Sequence, residues 1–226
     1  MGQTIQIPTG GMQRIGAYRA DPDGAPCGAI VVVQEIFGLT GYVRRVADRF
    51  AAQGYVAIAP SMFDFIETGV ELACDEAGAA KGRALAAKVG FERAVGAVAS
   101  AAEAIGSAGG VGVVGFCWGG TVAFLSATRL GLPAVIYYGG RSVPFLGETP
   151  DAPLLFHFGD RDSIIPPSDV QKHRDALVDA PLGAEIRVYP AGPAFDRDHD
   201  ARHFEPESSS LAFERTLAFF GRTLSP

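Results

Sequence analysis

Six short apolar runs, each rich in valine and isoleucine, alternate with helical stretches from residue 29 onward. The runs are AIVVVQEI (29–36), YVAIAPS (55–61), GVGVVGF (110–116), AVIYYGG (134–140), LLFHFGD (154–160) and EIRVYPA (185–191). Continuous apolar runs that end in small or polar residues are typical of parallel strands covered by helices on both faces. The alternation predicts an α/β fold with a doubly wound, mostly parallel sheet, whose ligands bind beyond the carboxyl ends of the strands.

The rest of the chain predicts further elements before and between these strands. Residues 5–20 alternate apolar and polar side chains about a Gly-Gly turn, which predicts an N-terminal β-hairpin. Residues 62–90 are charged and rich in glycine and alanine, and they predict a loop-and-helix excursion over the sheet. Ser168 and Ser208 open two amphipathic patterns and are candidate helix caps. The length of 226 residues fits one large domain over residues 1–226.

Composition narrows the classes of partner. A net charge of −6 offers no basic surface for nucleic acid or for a polybasic membrane contact. No apolar run approaches the ~18 residues of a membrane span, and the amino terminus lacks the basic-then-apolar layout of a signal peptide. We therefore expect a cytoplasmic protein that acts on a small molecule and binds neither nucleic acid nor membrane. Three cysteines form no C-x-x-C pair, so neither a metal site nor a disulfide framework is expected.

The most specific motif lies where GVGVVGF runs into the helical pattern GGTVAFLSATRLG. There the sequence reads Gly115-Phe116-Cys117-Trp118-Gly119, the G-x-C-x-G form of a nucleophile elbow. A sharp strand-to-helix turn strains the backbone of the nucleophile and requires glycine beside it. The amino terminus of the helix stabilises a thiolate, and the Trp118 amide is placed to donate to an oxyanion. The alternative is a buried structural cysteine beside a tight turn.

A catalytic triad on such a fold runs in the order nucleophile, acid, histidine. Asp162 follows the strand 154–160 and is favoured as the acid over Asp160, which directly follows a glycine and can shape the turn. His157 lies within that strand and is interpreted as a core histidine. No histidine directly follows the last strand, where the sequence has Pro193.

Glu35 ends the first parallel strand beside apolar residues. A carboxylate in that position can have a raised pKa and exchange a proton with a thiol, or it can be a solvated charge that caps the next turn. The amide of Ile36 lies where this fold supplies a second oxyanion donor.

Taken together, these motifs resemble the dienelactone hydrolases, or carboxymethylenebutenolidases, a cysteine branch of the α/β-hydrolase fold. The resemblance covers nearly the whole chain and rests on QEIFG, APSMFD, GFCWGG, YYGGR, HFGDRD, YPAG and ERTLAFF, in that order. It implies that Cys117 is the nucleophile, Asp162 the triad acid and Glu35 the carboxylate that activates the thiol. The amides of Ile36 and Trp118 would then form the oxyanion hole.

The resemblance also implies arginines that hold a substrate carboxylate. Arg197 matches one such arginine, and Lys81 or Arg83 corresponds to another in a loosely aligned region. Arg141, in YYGGR, is a further cationic candidate near a strand end.

The sequence departs from the family where G-H-A-F or G-H-G-F is expected, because Pro193 replaces the histidine. Proline has no ionisable side chain and cannot act as a general base. Three interpretations follow. His199 or His203, further along the same loop, takes over as the base; Glu35 alone activates Cys117 and the acyl-enzyme is hydrolysed slowly; or catalysis is lost and a ligand-binding protein remains.

The sequence thus predicts hydrolysis of ester or lactone bonds in small, carboxylated substrates through a Cys117 acyl-enzyme, with no metal or organic cofactor. The alternatives are a weak or inactive protein that binds small anions, and a thiol redox sensor, for which no resolving cysteine is evident. We expect a monomer or a small homo-oligomer.

Overall fold

The computed structural model describes residues 2–10 and 13–224. These residues form two compact units. One unit comprises the described residues up to Val113 together with Leu224, and the other comprises Val114–Thr223. One domain over residues 1–226 stays a prediction.

The first unit contains four strands in the order β1-β2-β4-β3. Its elements are β1 (Gln3–Pro8), β2 (Arg14–Ala20), β3 (Ala29–Val33), α1 (Gly41–Ala52), β4 (Val56–Pro60) and α2 (Glu76–Ile105). The first two strands pair antiparallel, which confirms the N-terminal hairpin, although residues 11–12 of its Gly-Gly turn lie outside the described residues. β3 and β4 pair in parallel and are buried along their whole length, as their continuous apolar sequences predict.

Residues 62–90 form the predicted excursion, which extends further than expected. A 3₁₀ turn over Met62–Phe65 is followed by α2, whose first turn is capped by Asp75 accepting from the Gly78 amide at 2.7 Å. Gly90, with φ 71°, interrupts the helix, and the chain then continues helically to Ile105. The predicted end of the excursion at residue 90 is therefore a kink inside a longer helical element.

The second unit contains the end of β5 (Val111–Phe116) and three further strands, in the order β5-β6-β7-β8. Its other elements are α3 (Trp118–Leu130), β6 (Ala134–Tyr137), β7 (Leu154–Gly159), α4 (Pro167–Leu177), β8 (Ala184–Tyr189) and α5 (Pro206–Thr223). β6, β7 and β8 pair in parallel. α4 and α5 begin with proline, which suits the first helical position, so the predicted serine caps at Ser168 and Ser208 are wrong.

His157 lies in the core of the second unit, as predicted. Thr216 donates its hydroxyl proton to the Ala212 carbonyl, at 2.9 Å, so its oxygen accepts from the Tyr137 hydroxyl, at 2.9 Å, and from His157 Nε2, at 3.0 Å. Nδ1 of His157 then accepts from the Tyr189 hydroxyl at 2.8 Å. Complete burial, with nearby arginine charges, lowers the pKa of His157 to about 3. The imidazole is therefore neutral and holds three elements together.

Thr216→Val should destabilise the protein by about 2 to 6 kcal/mol, because two buried donors lose their acceptor and each such loss costs about 1 to 3 kcal/mol. Thr223→Val is the matched control in the same helix, since the Thr223 hydroxyl bonds only to the Phe219 carbonyl, at 3.0 Å. The control should cost less than about 1.5 kcal/mol. Urea unfolding measures both, and equal losses would show that the network around Thr216 adds nothing.

The buried His157 should also make stability depend on pH. Its folded pKa, about 3, lies below the unfolded value of 6.5, so the unfolded chain binds more protons between these values and stability falls as the pH is lowered through this window. His157→Gln removes that proton uptake. The free energy of unfolding, measured from pH 4.5 to 6, should lose about 1 kcal/mol of its slope per pH unit in this variant. An unchanged slope would contradict the assignment of a neutral, buried imidazole.

Candidate active site

The turn between β5 and α3 places Cys117 in a strained backbone conformation. Cys117 has φ 55° and ψ −115°, and α3 begins at the next residue, Trp118. A Cβ atom added to Gly115 would lie 1.9 Å from the Gly119 carbonyl oxygen, so only glycine fits there. This is the geometry that the G-x-C-x-G pattern predicts. The sulfur also lies at the amino terminus of a helix, where the helix dipole favours a thiolate.

A cavity of about 310 Å³ opens beside Cys117. This volume is at the lower end of the range for small-molecule sites. Its lining within the second unit comprises Cys117, Tyr138, Gly140, Arg141, Asp162, Ile164, Ile165, Asp169, Pro193, Ala194 and Arg197. The structure therefore brings the predicted nucleophile, the predicted acid and two predicted substrate-binding arginines into one cavity. The position of the missing histidine lies in the same wall.

Backbone strain is concentrated at this cavity. Among the described residues, three non-glycine residues have positive φ: Cys117 (55°), Tyr138 (41°) and Ala194 (55°). All three line the cavity. Residues in such conformations cost of the order of 1 to 3 kcal/mol each and cluster at functional sites.

Asp162, the predicted acid, is buried and faces the cavity. Its Oδ1 atom accepts from the amides of Ile164, at 2.7 Å, and Ile165, at 3.0 Å. Asp160, the competing candidate, is exposed and lies 3.8 Å from Arg161 in an ion pair. It is absent from the cavity lining in the second unit. The geometry therefore favours Asp162.

The loop that carries Pro193 is firmly anchored. Phe195 is fully buried, with its ring centroid 5.4 Å from that of Tyr189 and 5.6 Å from that of Tyr138. Ser209 donates to buried Asp196 at 2.6 Å, and the Phe195 carbonyl accepts from the Glu205 amide at 3.0 Å. Position 193 is consequently held at the cavity wall by the residues that follow it.

Arg197 lines the cavity but is already paired with an acid. Its Nη1 atom lies 3.2 Å from Asp200 Oδ2, and both side chains are buried. Asp200 also accepts from Arg202 Nε at 3.0 Å and from His203 Nδ1 at 2.9 Å. Burial works against ionisation of Asp200, but the hydrogen bonds from Arg202 and His203 outweigh it, so the pKa of this carboxyl lies well below its usual range.

The two loop histidines stand outside the cavity lining of the second unit. His203 is bound to Asp200, as described above, and Nδ1 of His199 lies 3.6 Å from an oxygen of Asp198. A substitute base at His199 or His203 stays a prediction, and these contacts give it no support.

The remaining predicted residues belong to the first unit. Glu35 lies two residues after the end of β3. Its side chain is only 2% exposed, which excludes a solvated charge. Ile36 is half-buried, and a Cβ added to Gly82 would lie 2.0 Å from its carbonyl oxygen. Lys81 is exposed and pairs with Glu67 at 2.7 Å, while Arg83 is exposed. Their catalytic or binding roles stay predictions.

Sequence reasoning missed Tyr138 and Ile164. Tyr138 lies inside the run 134–140 that predicted a strand, yet β6 ends at Tyr137, because the positive φ of Tyr138 ends the extended conformation. Its position at the carboxyl end of a parallel strand was the available signal. Ile164 is 78% exposed and lies in the loop after β7, and no sequence pattern marked it.

No group of three or more histidine, cysteine, aspartate or glutamate side chains that could hold a metal ion occurs within residues 2–10 and 13–224. Nor does any helix in those residues have the length and hydropathy needed to cross a membrane.

Comparison with known proteins identifies the family to which the sequence is similar. The sequence model of the dienelactone hydrolase family matches residues 15–224. A carboxymethylenebutenolidase of Pseudomonas putida is 32% identical over 213 residues, which cover 90% of this chain and 89% of the relative. A provisionally assigned carboxymethylenebutenolidase of Azospirillum brasilense is 35% identical over 232 residues, covering 97% of this chain and 98% of the relative.

A solved structure extends the agreement to three dimensions. The crystal structure of a provisionally assigned dienelactone hydrolase from Klebsiella pneumoniae matches with a TM-score of 0.86 and 30% identity, covering 98% of each chain. The α/β-hydrolase fold, with its mostly parallel strands and antiparallel N-terminal pair, is thereby confirmed. The chain belongs to the dienelactone hydrolase family.

Proposed function

We propose that this chain hydrolyses ester or lactone bonds in small, carboxylated molecules through a thioester on Cys117, and that the loss of the loop histidine slows release of the product acid. The observation that carries the proposal is the shared cavity: the strained Cys117, the buried Asp162 and Pro193 in the position of the base all line it.

Family membership makes the chain a hydrolase of lactone or ester bonds. The name of the Pseudomonas relative, carboxymethylenebutenolidase, describes a lactone with a carboxylated side chain. Two arginines in the cavity, Arg141 and Arg197, support a substrate of the same charge type for this chain.

The proposed reaction begins with attack of the Cys117 thiolate on the carbonyl carbon. The carbonyl electron pair moves to oxygen, and backbone amides stabilise the resulting oxyanion, for which the Trp118 and Ile36 amides are the predicted donors. Collapse breaks the bond to the leaving oxygen, which takes up the proton that the thiol gave up. An open-chain ester thereby releases an alcohol, whereas a lactone ring opens and its new hydroxyl stays on the acyl chain. A thioester on Cys117 remains, and water must attack it to release the acid.

The second step needs a general base to activate water, and position 193 does not provide one. Pro193 cannot accept a proton, and Asp162 then lacks an imidazole to orient in the cavity. The predicted role of Glu35, activation of the thiol, serves the first step. We therefore propose fast acylation and slow deacylation. A cytoplasmic location and a state no larger than a small homo-oligomer accompany this proposal.

Accumulation of the acyl-enzyme intermediate would test this proposal directly. With p-nitrophenyl butyrate the chain should release a burst of p-nitrophenol equal to the enzyme concentration, followed by slow turnover, because deacylation limits the rate. Mass spectrometry should locate the butyryl group on Cys117, and Cys117→Ala should abolish both signals. Cys27→Ala, which removes an exposed thiol, is the control. If neither burst nor adduct forms, the chain is a binding protein rather than a cysteine hydrolase.

Pro193→His should raise steady-state turnover by about 10², the contribution of a positioned general base. The gain is expected because residue 193 lies in the wall of the cavity that contains Cys117 and Asp162. Pro193→Ala separates the effect of the imidazole from that of a freer backbone, and Pro190→His places a histidine in the same loop outside this cavity lining. Neither control should gain activity. A loss of turnover in His199→Ala or His203→Ala, with no gain from Pro193→His, would instead identify a substitute base.

A further inference from the structure

Within the second unit, four charged side chains line the cavity beside Cys117: Arg141, Asp162, Asp169 and Arg197. Their partners differ. Asp162 accepts two backbone amides on Oδ1, at 2.7 and 3.0 Å. Asp169 is half-buried and pairs with Lys172 Nζ at 2.7 Å. Loop amides therefore offset the negative charge of Asp162, and a lysine of the same helix offsets that of Asp169.

Arg197 is compensated as well. Its partner Asp200 is only 6% exposed and is held in the ionised state by the donors around it. A buried pair of this kind is costly to separate, because each charge would be left without its partner in a poorly solvated site. Arg197 consequently fixes the loop that carries Pro193, and only part of its hydrogen-bonding capacity is left for a substrate.

Arg141 differs from the other three. It is exposed at the cavity, and among the described residues its guanidinium makes no ion pair and no hydrogen bond. A guanidinium offers five donors in a planar fork that matches a carboxylate. Arg141 is thus the cation at this cavity whose charge the described residues leave uncompensated.

The backbone that carries Arg141 is nevertheless fixed. Oγ of the buried Ser142 lies 2.7 Å from the Gly139 carbonyl and 2.7 Å from His173 Nε2. His173, also buried, contacts the Asp169 carbonyl through Nδ1 at 2.7 Å. A Cβ added to Gly140 would lie 2.6 Å from Ile165 Cγ1. Gly140 therefore packs directly on the loop that follows β7.

We propose that Arg141, rather than Arg197, is the residue that selects a carboxylated substrate, and that Ser142 and His173 position it. The proposal rests on the proposed function and names the charge of the substrate. The exposed Ile164, on the same cavity lining, provides apolar surface for the uncharged part of that substrate. The preferred substrates are therefore amphipathic: a carboxylate with an apolar body that carries the ester or lactone.

Two esters that differ in one charged group test the proposal. These are p-nitrophenyl hemiglutarate and p-nitrophenyl valerate, and the quantity measured is the ratio of kcat/KM for the anionic ester to that for the neutral ester. Arg141→Gln should lower this ratio by about 5-fold, the upper end for an exposed ion pair. The effect should appear in KM and shrink at high salt, since exposed charges are screened.

Arg174→Gln is the matched control, because Arg174 is exposed on α4, lies outside the cavity lining of the second unit and changes the net charge by the same amount. It should leave the ratio unchanged. Arg197→Gln should lower kcat/KM for both esters alike, because it disturbs the loop. Arg141→Glu should reverse the preference, toward an ester with a terminal ammonium group.

The outcomes separate this inference from the proposed function. A ratio that is unchanged in Arg141→Gln but lowered in Arg197→Gln would overturn the inference and leave the hydrolase intact. If the unaltered chain turns over neither ester, the proposed function fails. Calorimetric binding of glutarate then still tests Arg141: a several-fold weaker affinity in Arg141→Gln supports its role as anion receptor, and an equal affinity contradicts it.

Discussion

The close approach of β5 to the first turn of α3 is the constraint on which the site depends. With no side chain at Gly115, the strand passes within contact of the Gly119 carbonyl, and the chain reverses direction over the single residue Cys117. Any Cβ at Gly115 would push the helix away and relax the positive φ of Cys117. The partial exposure of Cys117 and its position at a helix terminus therefore both follow from this close approach.

The parallel strands around this turn determine what meets the thiol. Tyr138 follows β6, Asp162 follows β7 and Pro193 follows β8, so each strand of the second unit delivers a residue to the same cavity. The hydrogen bonds of the core hold these strand ends in register, with neutral His157 bridging β7 to β8 through Tyr189 and to α5 through Thr216. A buried imidazole serves the fold here, and it lies outside the cavity lining of the second unit.

The sequence predicted those parts of the arrangement that depend on residues close together along the chain. Apolar runs identified every strand of the second unit, and the glycines around Cys117 identified the elbow. The ends of elements were less predictable: β6 stops at Tyr137 because Tyr138 takes a positive φ, which depends on the surrounding packing. The sequence did not predict Ile164 as a cavity residue either. Its position at the cavity depends on the hydrogen bond from its amide to Asp162, which no sequence pattern reveals.

The loop after β8 is firmly held around Pro193, the position at which the family motif has a histidine. Ala194 keeps a strained φ of 55°, Phe195 stays buried among aromatic rings, and Asp196 binds Ser209. These contacts maintain the wall of the cavity whether or not position 193 can accept a proton. The packing of this loop therefore does not depend on a titratable side chain at position 193. In the proposed mechanism, a substrate that fits this cavity can therefore still reach the Cys117 thiol, while the water that would release the product finds no general base at position 193.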